Sequence, residues 1–186
     1  GGAVAEPSAQ RFGSVCTTRA YHVRDDFGDA VPVLDGGPCD IGLESTICSL
    51  TGDTPTVLRP GHITTEDLAE CLGRTVDAAR RDATGQPAAP GTLPRHYAPR
   101  TPLVLIDHPD EAPEGSVVIC CGEQGLAGLC NGYVYLPARP DAYGTQLYYA
   151  LRYADAQAPA SIAVVMPARS SAWAAVIDRL GRAGIH

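Results

Sequence analysis

Residues 140–166, PDAYGTQLYYALRYADAQAPASIAVVM, decide the fold of this chain. In the first part, Tyr143, Leu147, Ala150, Leu151 and Ala154 recur at the three- and four-residue spacing that places side chains on one face of a helix. In the second, residues 161–166 are apolar almost throughout, as a strand covered on both faces is. Working outward, residues 103–106, 116–121 and 132–136 read as further strands, and Trp173, Val176, Ile177 and Leu180 mark a second helical face. The alternation predicts a small Rossmann-like α/β domain with a mostly parallel sheet over residues 102–186.

Upstream the character changes twice. Residues 74–101 hold Arg80-Arg81-Asp82 and a Gly/Pro-rich run from Gly85 to Gly91, and read as an extended linker running over a surface. Residues 1–73 alternate short apolar runs with turn signals, and strands are expected at 31–34, 45–50 and 56–58. A helix capped by Thr17 or Thr18 runs to Phe27 and stops at Gly28, with Ala20, Val23 and Phe27 on one face. A second starts at Thr64, where Asp67 completes a capping box and Ile63 can staple Leu68, and ends at Gly73.

Composition narrows the function classes. The net charge of −7 is reached with fourteen basic residues, all arginine, so strong direct nucleic-acid binding is not expected and lysine chemistry is excluded. No apolar run approaches the ~20 residues of a membrane span, and the first residues lack a secretory signal, so a cytoplasmic protein is expected. The chain opens on Gly1 and its only methionine is Met166, which leads us to expect a piece of a longer reading frame. The seven cysteines form no C-x-x-C pair and are read as reduced, mostly buried hydrophobes, with Cys120 and Cys121 in a strand core.

Several positions suit a nucleotide or carboxylate. Ser8, Ser14, Thr17, Thr18, Ser45 and Thr46 with Gly36-Gly37 supply hydroxyls and backbone donors, although capping and turns use the same residues. Arg59, locked between Leu58 and Pro60, presents a fixed fork of donors to a phosphate or pairs with a surface acid. His96 and Tyr97, between Arg95 and Arg100, either close over a nucleotide or pack the linker onto a domain. Gly122, Gly125 and Gly128 have the wrong spacing for a dinucleotide loop and read as a flexible turn.

In this order, Pro7-Ser8-Ala9-Gln10, Cys16-Thr17-Thr18, Gly36-Gly37 with Glu44-Ser45-Thr46, Leu58-Arg59-Pro60-Gly61 and His96-Tyr97-Ala98-Pro99, the chain resembles the Sua5/YrdC family of threonylcarbamoyl-AMP synthases over essentially its whole length. The resemblance implies part of a YrdC-like twisted mixed sheet with helices in residues 1–73, a linker, and the Sua5-type domain. It implies a nucleotidyltransferase that makes threonylcarbamoyl-AMP and pyrophosphate from ATP, L-threonine and bicarbonate, with magnesium on the phosphates. Its product goes to a separate tRNA-modifying transferase complex for t6A synthesis. Carried over by position, Ser8, Cys16, Arg59 and Tyr97 contact ATP or the adenylate, while Ser45 and Glu6 contact threonine. The chain departs from the family at Gln10, Cys16 and Glu6, and nothing in it corresponds to the family's Lys-Arg ATP segment. It is therefore expected to be inactive by itself, the alternative being a degenerate nucleotide-binding relative without catalysis.

Overall fold

The computed structural model describes residues 2–3, 8–78, 89–91, 93, 95–122 and 132–184. Glu6, Gly125, Gly128 and most of the Pro/Gly-rich run lie outside the described residues. The chain is α/β, with a small mixed sheet followed by a parallel one.

In the parallel sheet, β4 (Leu103–Ile106), β5 (Ser116–Cys121), β6 (Tyr133–Leu136) and β7 (Ser161–Val165) are ordered β4-β7-β5-β6. Every neighbouring pair is parallel. Side chains alternate between faces, and here the two faces differ. Leu103, Val117, Ile119, Val134, Leu136, Ile162 and Val164 enter the main core, while Ile106, Val118 and Ala163 form a smaller cluster on the reverse. The strand's end corrects the expectation that both Cys120 and Cys121 are core residues: Cys120 is buried, but Cys121, the last residue of β5, is exposed.

The main core is closed by α3 (Pro140–Ala156) and α4 (Ala174–Ala183). Tyr143, Leu147, Ala150, Leu151 and Ala154 are all buried, as the periodicity predicts. Tyr143 and Trp173 meet edge to face with ring centroids 5.3 Å apart. Because Gly144, Thr145 and Tyr148 lie on a second flank of α3, this helix is packed on both sides: against the sheet, and against residues 40–44 from the first third of the chain.

That first third contains α1 (Ala20–Phe27), β1 (Ile47–Ser49), β2 (Thr56–Arg59), α2 (Thr65–Leu72) and β3 (Asp77–Ala78). Strands β1 and β2 are antiparallel, and β2 and β3 are parallel. The capping box at Thr64 is present: Asp67 N–H donates to Thr64 Oγ1 at 3.1 Å and Thr64 N–H to Asp67 Oδ2 at 2.8 Å. Gly73, at φ +63°, ends α2.

Five expectations are corrected. Residues 31–34 form no strand; Leu34 is 99% exposed, and an apolar run without a neighbour for its ladder stays open loop. Residues 45–50 shorten to Ile47–Ser49. Neither Thr17 nor Thr18 caps α1 by side chain; the N-cap is Arg19, and the His22 ring reaches back so that Nδ1 accepts from Thr18 N–H at 3.1 Å. The linker does not run wholly over the surface: residues 77–78 add a strand to β2, and Ala89, His96, Tyr97 and Pro99 are buried. Of the six described cysteines, all free, only Cys16 and Cys120 are buried, because Cys39 sits in an open loop and Cys71 on the solvent side of α2.

The two parts touch most closely at Gly42. Its φ is +80°, and a Cβ there would run into the Thr145 backbone. Gly42→Ala is expected to lower stability by about 2–4 kcal/mol, the sum of overpacking and a left-handed alanine, measured by urea unfolding.

Candidate functional site

The polar residues of the chain converge where the first third meets α3 and α4. At the centre is Glu44. Its Oε1 accepts from Cys16 Sγ at 2.6 Å and Tyr148 Oη at 3.2 Å; its Oε2 accepts from Tyr148 Oη at 2.9 Å and Arg179 Nε at 2.8 Å. Arg179 Nη1 donates to Asp178 Oδ2 at 2.8 Å, and Arg182 donates to the same carboxylate. The Arg179 side chain is 0% exposed.

Next to Glu44, Ser45 holds Arg59. The Ser45 carbonyl accepts from Arg59 Nε at 3.1 Å and Nη2 at 3.0 Å, Ser45 Oγ lies 3.3 Å from Nη2, and the Pro90 carbonyl accepts from Nη1 at 2.9 Å. Arg59 is buried, its guanidinium bound to carbonyls and not to a surface acid. Thr46 Oγ1 donates to the Ile63 carbonyl at 2.6 Å, and a Cβ at Gly61 would collide with the Ser45-Thr46 backbone. The Glu44-Ser45-Thr46 and Arg59-Pro60-Gly61 motifs are therefore one structural unit: the first supplies the acceptor for the arginine, the second the gap its backbone needs.

Of the two readings the sequence left open for Tyr97, the structure shows the packing that the second expects. The ring is 1% exposed, stacks on Tyr148 at 5.7 Å, and lies under the Arg179 guanidinium at 5.2 Å. Its φ of +62° is the left-handed region that tyrosine seldom adopts. The hydroxyl donates to the Gly91 carbonyl at 3.4 Å, beside the Pro90 carbonyl that Arg59 binds. The linker is tied down further by Arg182 Nη1 on the Leu93 carbonyl at 2.7 Å and by His96 N–H on the Arg182 carbonyl at 3.1 Å.

Cys16, Ser45, Arg59 and Tyr97 are thus brought together, through Glu44. Ser8 is exposed, and among the described residues no side-chain contact joins it to this group. Glu6 lies outside the described residues. Sequence reading missed Arg179, Tyr148 and the anchoring role of Glu44. The available signal for Arg179 was its place three residues after Val176 on an apolar helical face, where an arginine is buried only with a partner.

Protonation follows from burial and from these partners. Burial alone would raise the Glu44 carboxyl, but the Arg179 charge and the Cys16 hydrogen bond hold it below its ordinary value. Burial, then the Glu44 charge, pushes the Cys16 thiol well up, so no thiolate forms near neutrality. Tyr97 is pushed up to about 12 by burial and then Glu44. Burial works against the Arg179 charge, yet the Tyr148, Glu44 and Tyr97 oxygens around it keep it protonated. Burial also lowers His96, helped by Arg182, Arg179 and Arg59 against the opposing pull of Glu44. Glu44 has both oxygens committed, Cys16 is protonated and His96 is neutral. None of the three is placed as an activated nucleophile. Among the described residues no group of three acidic, His or Cys side chains forms a metal cage.

Behind the Val15-Cys16 backbone lies a cleft of about 440 Å³ between α1, Pro99 and α3. Arg152 spans it, donating to the Val15 carbonyl at 2.6 Å, the Cys16 carbonyl at 3.0 Å, and both oxygens of Asp26 at 3.1 and 2.6 Å. His22 in this wall is lowered to about 4, by burial first and then by the Arg152 and Arg19 charges.

Two family models match consecutive parts of the chain. Residues 63–184 match the family model described as threonylcarbamoyl-AMP synthase, C-terminal domain, and residues 1–61 match the model described as telomere recombination. The threonylcarbamoyl-AMP synthase of Bacillus subtilis is 41% identical over 106 residues, 56% of this chain and 31% of that protein. The synthase of Schizosaccharomyces pombe is 28% identical over an alignment of 210 residues, 97% of this chain and 52% of that protein. The crystal structure of Pyrococcus abyssi Sua5 complexed with L-threonine superposes with a TM-score of 0.77 at 26% identity, over 97% of this chain and 59% of that one. The chain thus spans from about a third to about half of the length of these curated relatives.

Acid should weaken the molecule in two stages. Between about pH 6.5 and 4 the unfolded state takes up the His22 proton that the folded state refuses, so stability falls as pH drops through that window. Below about pH 4.5, the ordinary value of a glutamate, the stability contributed by ionised Glu44 is lost as well. His22→Asn is expected to shrink the first stage, leaving the share that His96 contributes. Glu44→Gln is expected to shrink the second and to cost about 3–5 kcal/mol near neutrality by unpairing buried Arg179. Urea midpoints from pH 7 to 3 measure both.

Proposed function

Since the chain belongs to the Sua5/YrdC family of threonylcarbamoyl-AMP synthases, we propose that it forms part of an L-threonylcarbamoyladenylate synthase, a nucleotidyltransferase acting in t6A modification of tRNA. The reaction joins L-threonine, bicarbonate and ATP into threonylcarbamoyl-AMP with release of pyrophosphate. The observation that carries the reading is Arg59: a buried guanidinium aimed by the Ser45 carbonyl, with one arm resting on a linker carbonyl.

Adenylate formation concentrates negative charge on the phosphates as pyrophosphate leaves, so donors fixed in advance stabilise it without reorganising. In this reading a phosphate oxygen takes the place of the Pro90 carbonyl at Arg59 Nη1, and the Tyr97 hydroxyl faces the same space. Ser45 Oγ, which shares Arg59 Nη2, is the group offered to the threonine moiety. Cys16 contributes by anchoring Glu44, since its thiol is a weak donor already spent on that carboxylate. The family resemblance assigns Ser8 to the nucleotide and Glu6 to the threonine moiety. The donor set around Arg59 offers no free carboxylate to a resident metal, so magnesium enters with the nucleotide as the MgATP substrate. The product passes to a separate tRNA-modifying transferase complex, which suits a chain of net charge −7 that need not grip RNA.

A second reading, nucleotide binding without chemistry, draws on the lack of a free general base among the described residues around Arg59. In a longer protein that joins this chain to the family's ATP segment, pyrophosphate release that requires ATP, L-threonine and bicarbonate together distinguishes the two; MgATP binding without release in that protein favours the second.

Calorimetry with MgATP and L-threonine tests the pocket itself. Arg59→Ala is expected to weaken MgATP binding about 10- to 100-fold, the loss of one charged hydrogen-bonding group. Unchanged affinity in a variant that still melts cooperatively would rule out this pocket.

A further inference from the structure

We propose that Arg179, on the last helix of the chain, is the positioning residue of the adenylate site, setting the direction of Arg59 through Glu44 and Ser45. The proposal rests on the functional reading of the Arg59 pocket.

Three observations carry it. Glu44 is held by three side chains, but only Arg179 brings a countercharge. Glu44 is one peptide unit from the Ser45 carbonyl that receives both Nε and Nη2 of Arg59, and the backbone there has no slack because Gly61 lies against it. A shift of the Glu44 carboxylate is therefore passed to the acceptor that aims Arg59. Arg179 also lies over the Tyr97 ring, so one guanidinium fixes both the arginine and the tyrosine that face the Gly91 turn.

The second observation concerns cost. Arg179 Nη2 is shut from solvent with no hydrogen-bond acceptor among the described residues. A buried donor left unmade is costly, and an apolar pair of similar volume would join the two parts at least as well. A cross-link selected for stability alone would not look like this.

The third is a contrast. Arg152 and Asp26 form another shielded ion pair between the same two parts, 2.6 Å apart, but Arg152 grips the Val15 and Cys16 carbonyls and touches neither Ser45 nor Arg59. It provides a cross-link of the same kind without the positioning role.

The experiment pairs the two. Arg179→Met alone strands Glu44, so the informative variant is Arg179→Met with Glu44→Gln, which leaves an amide oxygen for Cys16 and Tyr148. Its folded state is expected to keep cooperative unfolding while Arg59 Nε–H exchange, followed by nitrogen-15 NMR without ligand, speeds up about tenfold or more and the MgATP Kd rises by about the same factor. Arg152→Met with Asp26→Asn is expected to lower the melting temperature yet leave both readouts within about twofold of wild type. Arg179→Lys, which keeps the charge beside Glu44, is expected to retain Arg59 exchange within about threefold of wild type, and decides the matter should the double variant fail to fold. Unchanged Arg59 exchange in the folded Arg179→Met/Glu44→Gln protein, or equal loss in the Arg152 control, overturns the proposal. Failure of wild type to bind MgATP overturns the functional reading of the pocket, and the exchange measurement then judges the role of Arg179 separately.

Discussion

The structure depends on one buried charge pair. Arg179 has no exposed surface and Glu44 little, and each is tolerated only because the other is there. Removing two ions from water costs several kcal/mol apiece, repaid only when geometry is good and the remaining hydrogen-bonding capacity is filled. For Glu44 that condition is met by Cys16 and Tyr148. For Arg179 it is met by Asp178 and by the Tyr97 ring, with one nitrogen left over. Segments from four separate regions, around residues 16, 44, 97 and 179, are obliged to meet at one point. The linker follows the same constraint: Arg182, sharing Asp178, captures the Leu93 carbonyl and so places the His96-Tyr97 step.

How much of this was legible depended on where the information lay. Strands β4 to β7 and helices α3 and α4 could be read because burial there is set by repeating patterns within a few residues of sequence, and the capping box at Thr64 is local in the same way. Residues 31–34 failed because β-branched and apolar residues satisfy a strand's side-chain preference without supplying the neighbour its backbone requires. Cys121 failed because it is the last residue of β5, and an apolar run does not show at which residue the cover over a strand ends.

The site shows the same limit more sharply. Arg59 and Ser45 stood out through Pro60, Gly61 and the adjoining glutamate, all close in sequence. Arg179 lies 135 residues from Glu44, and no spacing rule connects them. Tyr97 left two readings open because an aromatic beside arginines suits both a nucleotide and a core; the packing it finds is supplied by Tyr148 and Arg179, far along the chain. Local chemistry identified the donors. Only the fold could show what holds them still.

The strand order has a consequence for how the molecule comes into being. Strand β7 lies between β4 and β5, yet it follows both in the chain, with α3 in between. As the polypeptide emerges from the ribosome, β4 has no partner until residues 161–165 are made, and until then β5 can pair only with β6. Arg179 comes later still. The Glu44 carboxylate, made 135 residues earlier, therefore waits in water until Arg179 has been added. The parallel sheet and the junction close together, so a nascent chain stalled before residue 160 would expose the inner faces of three strands at once.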